Sequence, residues 1–154
     1  MKKSIPAICL SILISPLFLQ GKDQVTQTLT DVAYKTGDHL SDYEIERCKL
    51  DVYLPDTGKD WPVLVWFHGG GLKGGDKQGT PTDGVKPKFM AASLARAGIA
   101  MVCPNYRFSP DVKFPAYLED AAASVAWAKE NMGKQGADVS RIYVGGHSAG
   151  GWIA

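Results

Sequence analysis

The residues best placed to do chemistry are Gly146-His147-Ser148-Ala149-Gly150, directly after the apolar run Ile142-Tyr143-Val144. A serine hydroxyl is a weak nucleophile until its surroundings activate it. A short strand, a sharp turn and a helix start are the setting in which a G-x-S-x-G pattern forms a nucleophile elbow. The flanking Gly146 and Gly150 let neighbouring backbone approach a tight, strained turn that holds the hydroxyl clear of the surface. A helix starting at Ala149-Gly150 leaves backbone N–H groups unpaired beside the serine, which suits a developing negative charge. Ser148 is therefore the candidate nucleophile. Taken alone, the pentapeptide reads equally well as a Gly/Ser turn whose serine caps the next helix.

A second motif lies upstream. The continuous apolar run Val63-Leu64-Val65-Trp66-Phe67 is followed at once by His68-Gly69-Gly70-Gly71. Three consecutive glycines after a buried strand give a loop whose N–H groups can point at a ligand with no side chain in the way. Gly70 and Gly71, with Ala149 after the serine, are the candidate donors of an oxyanion hole. Each donor of this kind is typically worth about 10²–10³ in rate. Two motifs, each at a strand end and in the order this chemistry requires, argue against a plain flexible turn.

The elements that must position these loops follow from apolar spacing. Val25, Leu29, Val32 and Tyr34 are candidate anchors of a first strand, and Gly37-Asp38 and Ser41-Asp42 read as turns. Cys48, Leu50, Val52 and Leu54 alternate with Arg47, Lys49, Asp51 and Tyr53, as in a half-buried strand ended by Pro55. Lys88 to Ala97 has helical spacing with Gly98 as its stop, and Ile99 to Cys103 is a buried strand stopped by Pro104. Pro115 precedes a helix from Ala116 to about Met132, with Leu118, Ala121, Ala122, Val125 and Ala128 as its apolar stripe and Gly133 as its end. Arg141 to Gly145 feeds the elbow. Strands alternating with helices predict an α/β fold with a mostly parallel central sheet flanked by helices.

Composition narrows little. The 154 residues hold 17 basic and 16 acidic side chains, a net charge of +1, so no electrostatic argument favours a nucleic-acid partner. Three cysteines, Cys9, Cys48 and Cys103, are too few and scattered for a disulfide framework or a zinc site, and Cys48 and Cys103 sit in apolar settings that favour buried free thiols. Gly74-Gly75-Asp76-Lys77 lacks the spacing of a phosphate-binding loop. No metal and no cofactor is expected. The start Met1-Lys2-Lys3, an apolar stretch from Ile5 to Leu19 broken by Pro6 and Pro16, and the return of charge at Lys22 have the layout of a secretory signal. Residues 1–21 are expected to be that signal and residues 22–154 a partial catalytic domain, exported, with no membrane span after signal removal.

Together with Asn105-Tyr106-Arg107-Phe108-Ser109-Pro110, Phe114-Pro115-Ala116 and Glu119-Asp120, the two glycine motifs resemble the α/β-hydrolase esterases and lipases that carry an HGGG loop, near the bacterial carboxylesterases and hormone-sensitive-lipase-like enzymes. The resemblance runs from about Lys49 to the end. It implies hydrolysis of a small-molecule carboxylic ester through an acyl-enzyme on Ser148, with Gly70, Gly71 and Ala149 holding the oxyanion. His68, Gly69, Tyr106, Asp120, Gly146 and Gly150 would support the site. Tyr106 reads as a pocket wall or as a core residue; Arg107 and Asp120 as an ion pair behind the loop or as two solvated charges. Trp61, Trp66, Trp127 and Trp152 read as packing residues.

In this fold the acid and the base follow the serine in the order Asp/Glu then His. His39, His68 and His147 all precede it, as do Asp111, Asp120 and Asp138. The sequence is therefore expected to be the N-terminal piece of a longer hydrolase lacking its C-terminal strands, with an exposed apolar edge at Ile142–Val144 and poor solubility by itself. An amide hydrolase of arylformamidase or peptidase type on the same scaffold, and a non-catalytic binding relative, stay open as alternatives. Oligomeric state is not legible.

Overall fold

The computed structural model describes residues 27–80 and 86–154; the expected signal, Val25 and Cys9 lie outside them. Five strands, β1 (Thr28–Ala33), β2 (Lys49–Tyr53), β3 (Trp61–Phe67), β4 (Ala100–Pro104) and β5 (Ala137–Gly146), form one sheet in the order β1-β2-β4-β3-β5. β2 is antiparallel to both of its neighbours, whereas β3 is parallel to β4 and to β5. Four of the five strands thus run the same way, as the alternation of strands and helices predicts. Among the described residues, four α-helices interleave with them: α1 (Asp42–Arg47), α2 (Pro87–Arg96), α3 (Ala116–Asn131) and α4 (Ala149–Ile153).

The core is aliphatic and fills the sheet's centre. Leu50, Val52, Val63, Val65, Ala100 and Val102 are fully buried, with Tyr34, Phe67, Tyr106 and Met132 packed around them. Burying one such aliphatic side chain contributes about 1.5–3 kcal/mol. Cys48 and Cys103 are buried free thiols, as their apolar neighbours suggest. Among the described residues no helix is long and apolar enough to cross a membrane.

Several elements depart from the sequence reading. Ser41-Asp42 is not a bare turn but the start of α1, whose Ser41 hydroxyl caps the Glu44 N–H while the Glu44 side chain reaches back to the Ser41 N–H. β2 does not alternate, because Asp51 and Tyr53 are buried along with Leu50 and Val52. Helix α3 ends at Asn131 and continues as a 3₁₀ turn over Met132–Gln135, so Gly136, in the left-handed region at φ 99°, stops it rather than Gly133. Its buried face is Tyr117, Asp120, Ala121, Ser124 and Ala128, rotated from the expected stripe, and Ala122 is exposed.

β5 is one of the two outer strands among the described residues, and of the expected apolar edge Tyr143 and Val144 are exposed while Ile142 is half-buried. Trp152 is 61% exposed and packs only one side, against the Tyr117 ring at 6.2 Å.

Candidate active site

The register of β3 against β5 explains why two loops far apart in sequence meet. Val63 pairs with Ile142 and Phe67 with Gly146, so both strands end at the same level and the chain leaves them side by side. Ligand sites in open α/β sheets lie at such carboxyl ends of parallel strands. The His147 N–H extends the ladder by one bond to the Phe67 carbonyl, 3.1 Å.

At the turn, Ser148 has φ 53° and ψ −119°, a conformation that side chains with a Cβ rarely adopt. Holding it costs on the order of 1–3 kcal/mol, and the surroundings must impose it. They do so by hydrogen bonds and close packing. Gly150 N–H donates to the His147 carbonyl, and Gly151 and Trp152 N–H donate to the Ser148 carbonyl, starting α4. A Cβ on Gly150 would lie 2.2 Å from the Phe67 carbonyl oxygen, and one on Gly146 would lie 2.3 Å from the Gly150 carbonyl carbon. Both glycines are thus demanded by backbone-to-backbone contact. The Ser148 side chain faces solvent.

The triple-glycine loop lies against this elbow. A Cβ placed on Gly69 would come within 3.4 Å of the Ser148 Cβ and 2.9 Å of the His147 Nδ1. Gly70 and Gly71 both have positive φ, 119° and 64°. The loop folds back on itself: Lys73 N–H donates to the Gly70 carbonyl, a Cβ on Gly70 would meet the Gly74 carbonyl oxygen at 2.1 Å, and one on Gly75 would meet the Gly69 carbonyl oxygen at 2.3 Å. Among the described residues, no backbone or side-chain hydrogen bond uses the amide of Gly70, Gly71 or Ala149 as donor.

His68 is buried and faces the loop's interior support. Its Nδ1 lies 2.7 Å from the Gly69 carbonyl oxygen, which only accepts, so Nδ1 carries the proton. Its ring stacks on Tyr106 at 4.5 Å, and the Tyr106 hydroxyl donates to the His68 carbonyl at 2.8 Å. Tyr106 is fully buried, and burial pushes its phenol up to about 12, so it stays a neutral donor. Of the two sequence readings of Tyr106, the structure gives the buried one, in contact with the loop.

Asp120 is fully buried and paired with Arg107, whose Nε and Nη2 donate to its two oxygens at 2.8 Å each and whose backbone N–H adds a third bond at 3.1 Å. Lys35 joins at 2.5 Å. Burial would raise the carboxyl, but the bonds from Arg107 and Lys35 outweigh it and hold it below the usual range. Asp138 is committed to Ser140 and Arg141. No group of His, Cys, Asp or Glu among the described residues could hold a metal ion.

The arrangement can therefore present a hydroxyl beside two strand-end loops rich in free amides. Of the charged side chains behind them, the sequence offers the Arg107–Asp120 pair, which forms, but not Arg47 or Lys77. Arg47, at the end of α1, donates to the Tyr106 and Gly75 carbonyls, and Lys77, buried, bridges Asp31 and Asp51 at 2.9 and 2.8 Å. The Ser41-x-x-Glu44 capping pattern was the available signal for α1; nothing local signals the Lys77 pairs.

The profile of the BD-FAE family matches residues 50–154. The chain belongs to that family. It is 39% identical over 106 residues to "Esterase LipI" of Mycobacterium tuberculosis and 38% identical over 104 residues to "Carboxylesterase NlhH" of the same species. Each alignment covers 67% of this chain and 31% of the relative, so the chain spans about a third of the length of these relatives. Among solved structures, a "Bifunctional GH43-CE" of Bacteroides eggerthii aligns with TM-score 0.67 and 31% identity over 82% of this chain and 15% of that one. Esterase B from Lactobacillus Rhamnosis aligns with TM-score 0.67 over 84% of this chain and 38% of that one; at 24% identity it shows the shared fold. The membership agrees with the resemblance drawn from the two glycine motifs.

Proposed function

We propose that the protein is an exported serine hydrolase of carboxylic esters, with Ser148 as nucleophile. The observation that carries this reading is the close approach of Gly69, where a Cβ would lie 3.4 Å from the Ser148 Cβ, reached from the ends of two adjacent parallel strands. The Ser148 Oγ attacks the ester carbonyl carbon as its proton passes to a histidine base. The carbonyl oxygen becomes an oxyanion that accepts hydrogen bonds from Gly70, Gly71 and Ala149. The carbonyl re-forms as the alcohol leaves with that proton, and water repeats the sequence on the acyl-enzyme. His68 opens the oxyanion loop and lies buried against Tyr106 behind it, so it is assigned a supporting role and not that of the base. The scaffold's chain order puts base and acid after the elbow. The names of the esterase relatives support a small-molecule ester as substrate.

A fluorophosphonate probe tests this reading in the full-length protein. Labelling and hydrolysis of a short-chain p-nitrophenyl ester should both disappear in Ser148→Ala. Undiminished labelling in that variant would overturn the assignment. Export rests on the basic start and apolar run of residues 1–21, and the same probe should find the labelled band outside the cytoplasm and lacking those residues; a band confined to the cytoplasm and still carrying them would refute it.

A further inference from the structure

We propose that Arg47 is a positioning residue for the oxyanion loop. The proposal rests on reading Gly70 and Gly71 as oxyanion donors. Helix α1 lies outside the span matched by the family profile, yet its side chains converge on the back of the site. Tyr43 Oη accepts the Phe108 N–H at 3.1 Å, and Glu44 pairs with Arg107 at 3.4 Å and with Lys35 at 3.1 Å. Arg47 reaches furthest. Its Nε donates to the Tyr106 carbonyl at 3.3 Å, its Nη2 donates to the Gly75 carbonyl at 3.4 Å, and Nη1 faces Asp76 at 3.8 Å. Its guanidinium lies 4.2 Å over the Phe108 ring.

These contacts join the two walls between which the loop is held. One wall is Tyr106, stacked on the His68 ring and bonded to its carbonyl. The other is the returning arm at Gly75, where a Cβ would lie 2.4 Å from His68 Nδ1 and 2.3 Å from the Gly69 oxygen. A flat cation with several donors in fixed directions can hold two carbonyls and a ring face at once, which a lysine cannot do. Through these walls Arg47 fixes where Gly70 and Gly71 present their amides. A displacement of about 1 Å at such a distance from the chemistry can cost on the order of 10² in rate.

The test is steady-state kinetics on the full-length protein with a p-nitrophenyl ester, beside thermal melting. Arg47→Ala should lower kcat by about ten- to a hundred-fold while KM changes less than about two-fold, because the ground-state carbonyl depends less on the donors than the oxyanion does. Arg47→Lys, which keeps the charge facing Asp76, should recover only part of kcat. Ile45→Ala, on the exposed side of the same helix, controls for helix stability and should leave kcat unchanged. Wild-type kcat in Arg47→Ala overturns the proposal, as does a kcat loss matched by Ile45→Ala at equal melting temperature. Should Arg47→Ala not fold, wild-type kcat in Arg47→Lys overturns it. If Ser148→Ala abolishes turnover while Arg47→Ala keeps wild-type kcat, only this inference fails; turnover surviving Ser148→Ala sinks the esterase reading itself.

Discussion

Where the triple-glycine loop meets the elbow, the close approaches are to backbone: Gly69 to the His147 carbonyl, Gly70 to Gly74, Gly146 to Gly150, and Gly150 to the Phe67 and His68 carbonyls. On the opposite side of the loop the contacts are between charged side chains, with Asp120 holding Arg107 and Lys35, Lys77 bridging Asp31 and Asp51, and Arg47 forked onto two carbonyls. The two regions answer different demands. Seating the triple-glycine loop against the elbow requires the chain to approach closely, so side chains are excluded. Keeping a glycine-rich loop from sampling its many conformations requires anchors that reach across several segments, and long charged side chains do that. The front should therefore resist changes of pH but not added atoms, and the back the reverse.

The largest effect should come from one methyl group at the front. In Gly150→Ala the new Cβ would sit 2.2 Å from the Phe67 oxygen and 2.5 Å from the His68 oxygen, and neither is the end of a flexible side chain. Relief requires α4 to separate from β3, which breaks the turn at Ser148. We expect destabilisation beyond about 4 kcal/mol, the range reserved for backbone and core conflicts, seen as loss of soluble protein or of a cooperative melt. A variant melting within a few degrees of wild type would show that the front is not built on exclusion.

At the back, Asp120→Asn removes the carboxylate shared by Arg107 and Lys35. Breaking one side of a buried pair typically costs about 3–5 kcal/mol, and the lower end applies because Glu44 still faces both cations. The pH dependence carries the sharper signature. Asp120 is held below its ordinary range, and Glu44 is held at about 2, chiefly by the hydrogen bond from Lys35. Both folded values are depressed, so their stabilisation is fully present above the unfolded values near 4 and is lost as pH falls through the folded ones. Wild-type stability should drop steeply between about pH 4.5 and 2, and Asp120→Asn should show a shallower acid limb. Equal acid slopes in urea titrations of the two proteins would mean that the pair adds nothing.

The contrast also accounts for what the sequence could reveal. The front is written in local terms: an apolar run, then glycines, then a serine between glycines. Hence β3, β4, the elbow and α2 were legible, and so was the approach of the triple-glycine loop, at Gly69, to Ser148. The back depends on partners far apart in the chain. Alternation along β2 puts Asp51 on the solvent face, yet Lys77, 26 positions later, covers it. Asp120 could be read as exposed until Lys35 and Arg107 were placed beside it. Helix α1 buries none of its residues, so it carries no apolar stripe, and only its capping pattern betrays it.

The smallest expected effect is the most specific to the front, because it turns on sign. At an ordinary position glycine is less stable than alanine by about 0.5–1 kcal/mol, owing to the freedom it loses on folding. At φ 53° and ψ −119° the Cβ is itself the source of strain, of order 1–3 kcal/mol. Ser148→Gly should thus be more stable than Ser148→Ala by about 1 kcal/mol, the difference left when that strain offsets the entropic term. Both variants lack the hydroxyl and should be equally inert toward the fluorophosphonate probe, so activity cannot account for the difference. Urea denaturation of the pair reads it directly. If alanine is the more stable of the two, the turn at Ser148 stores no strain, and the hydrogen bonds around it would be filling an ordinary helix start instead of imposing a conformation the serine would otherwise leave.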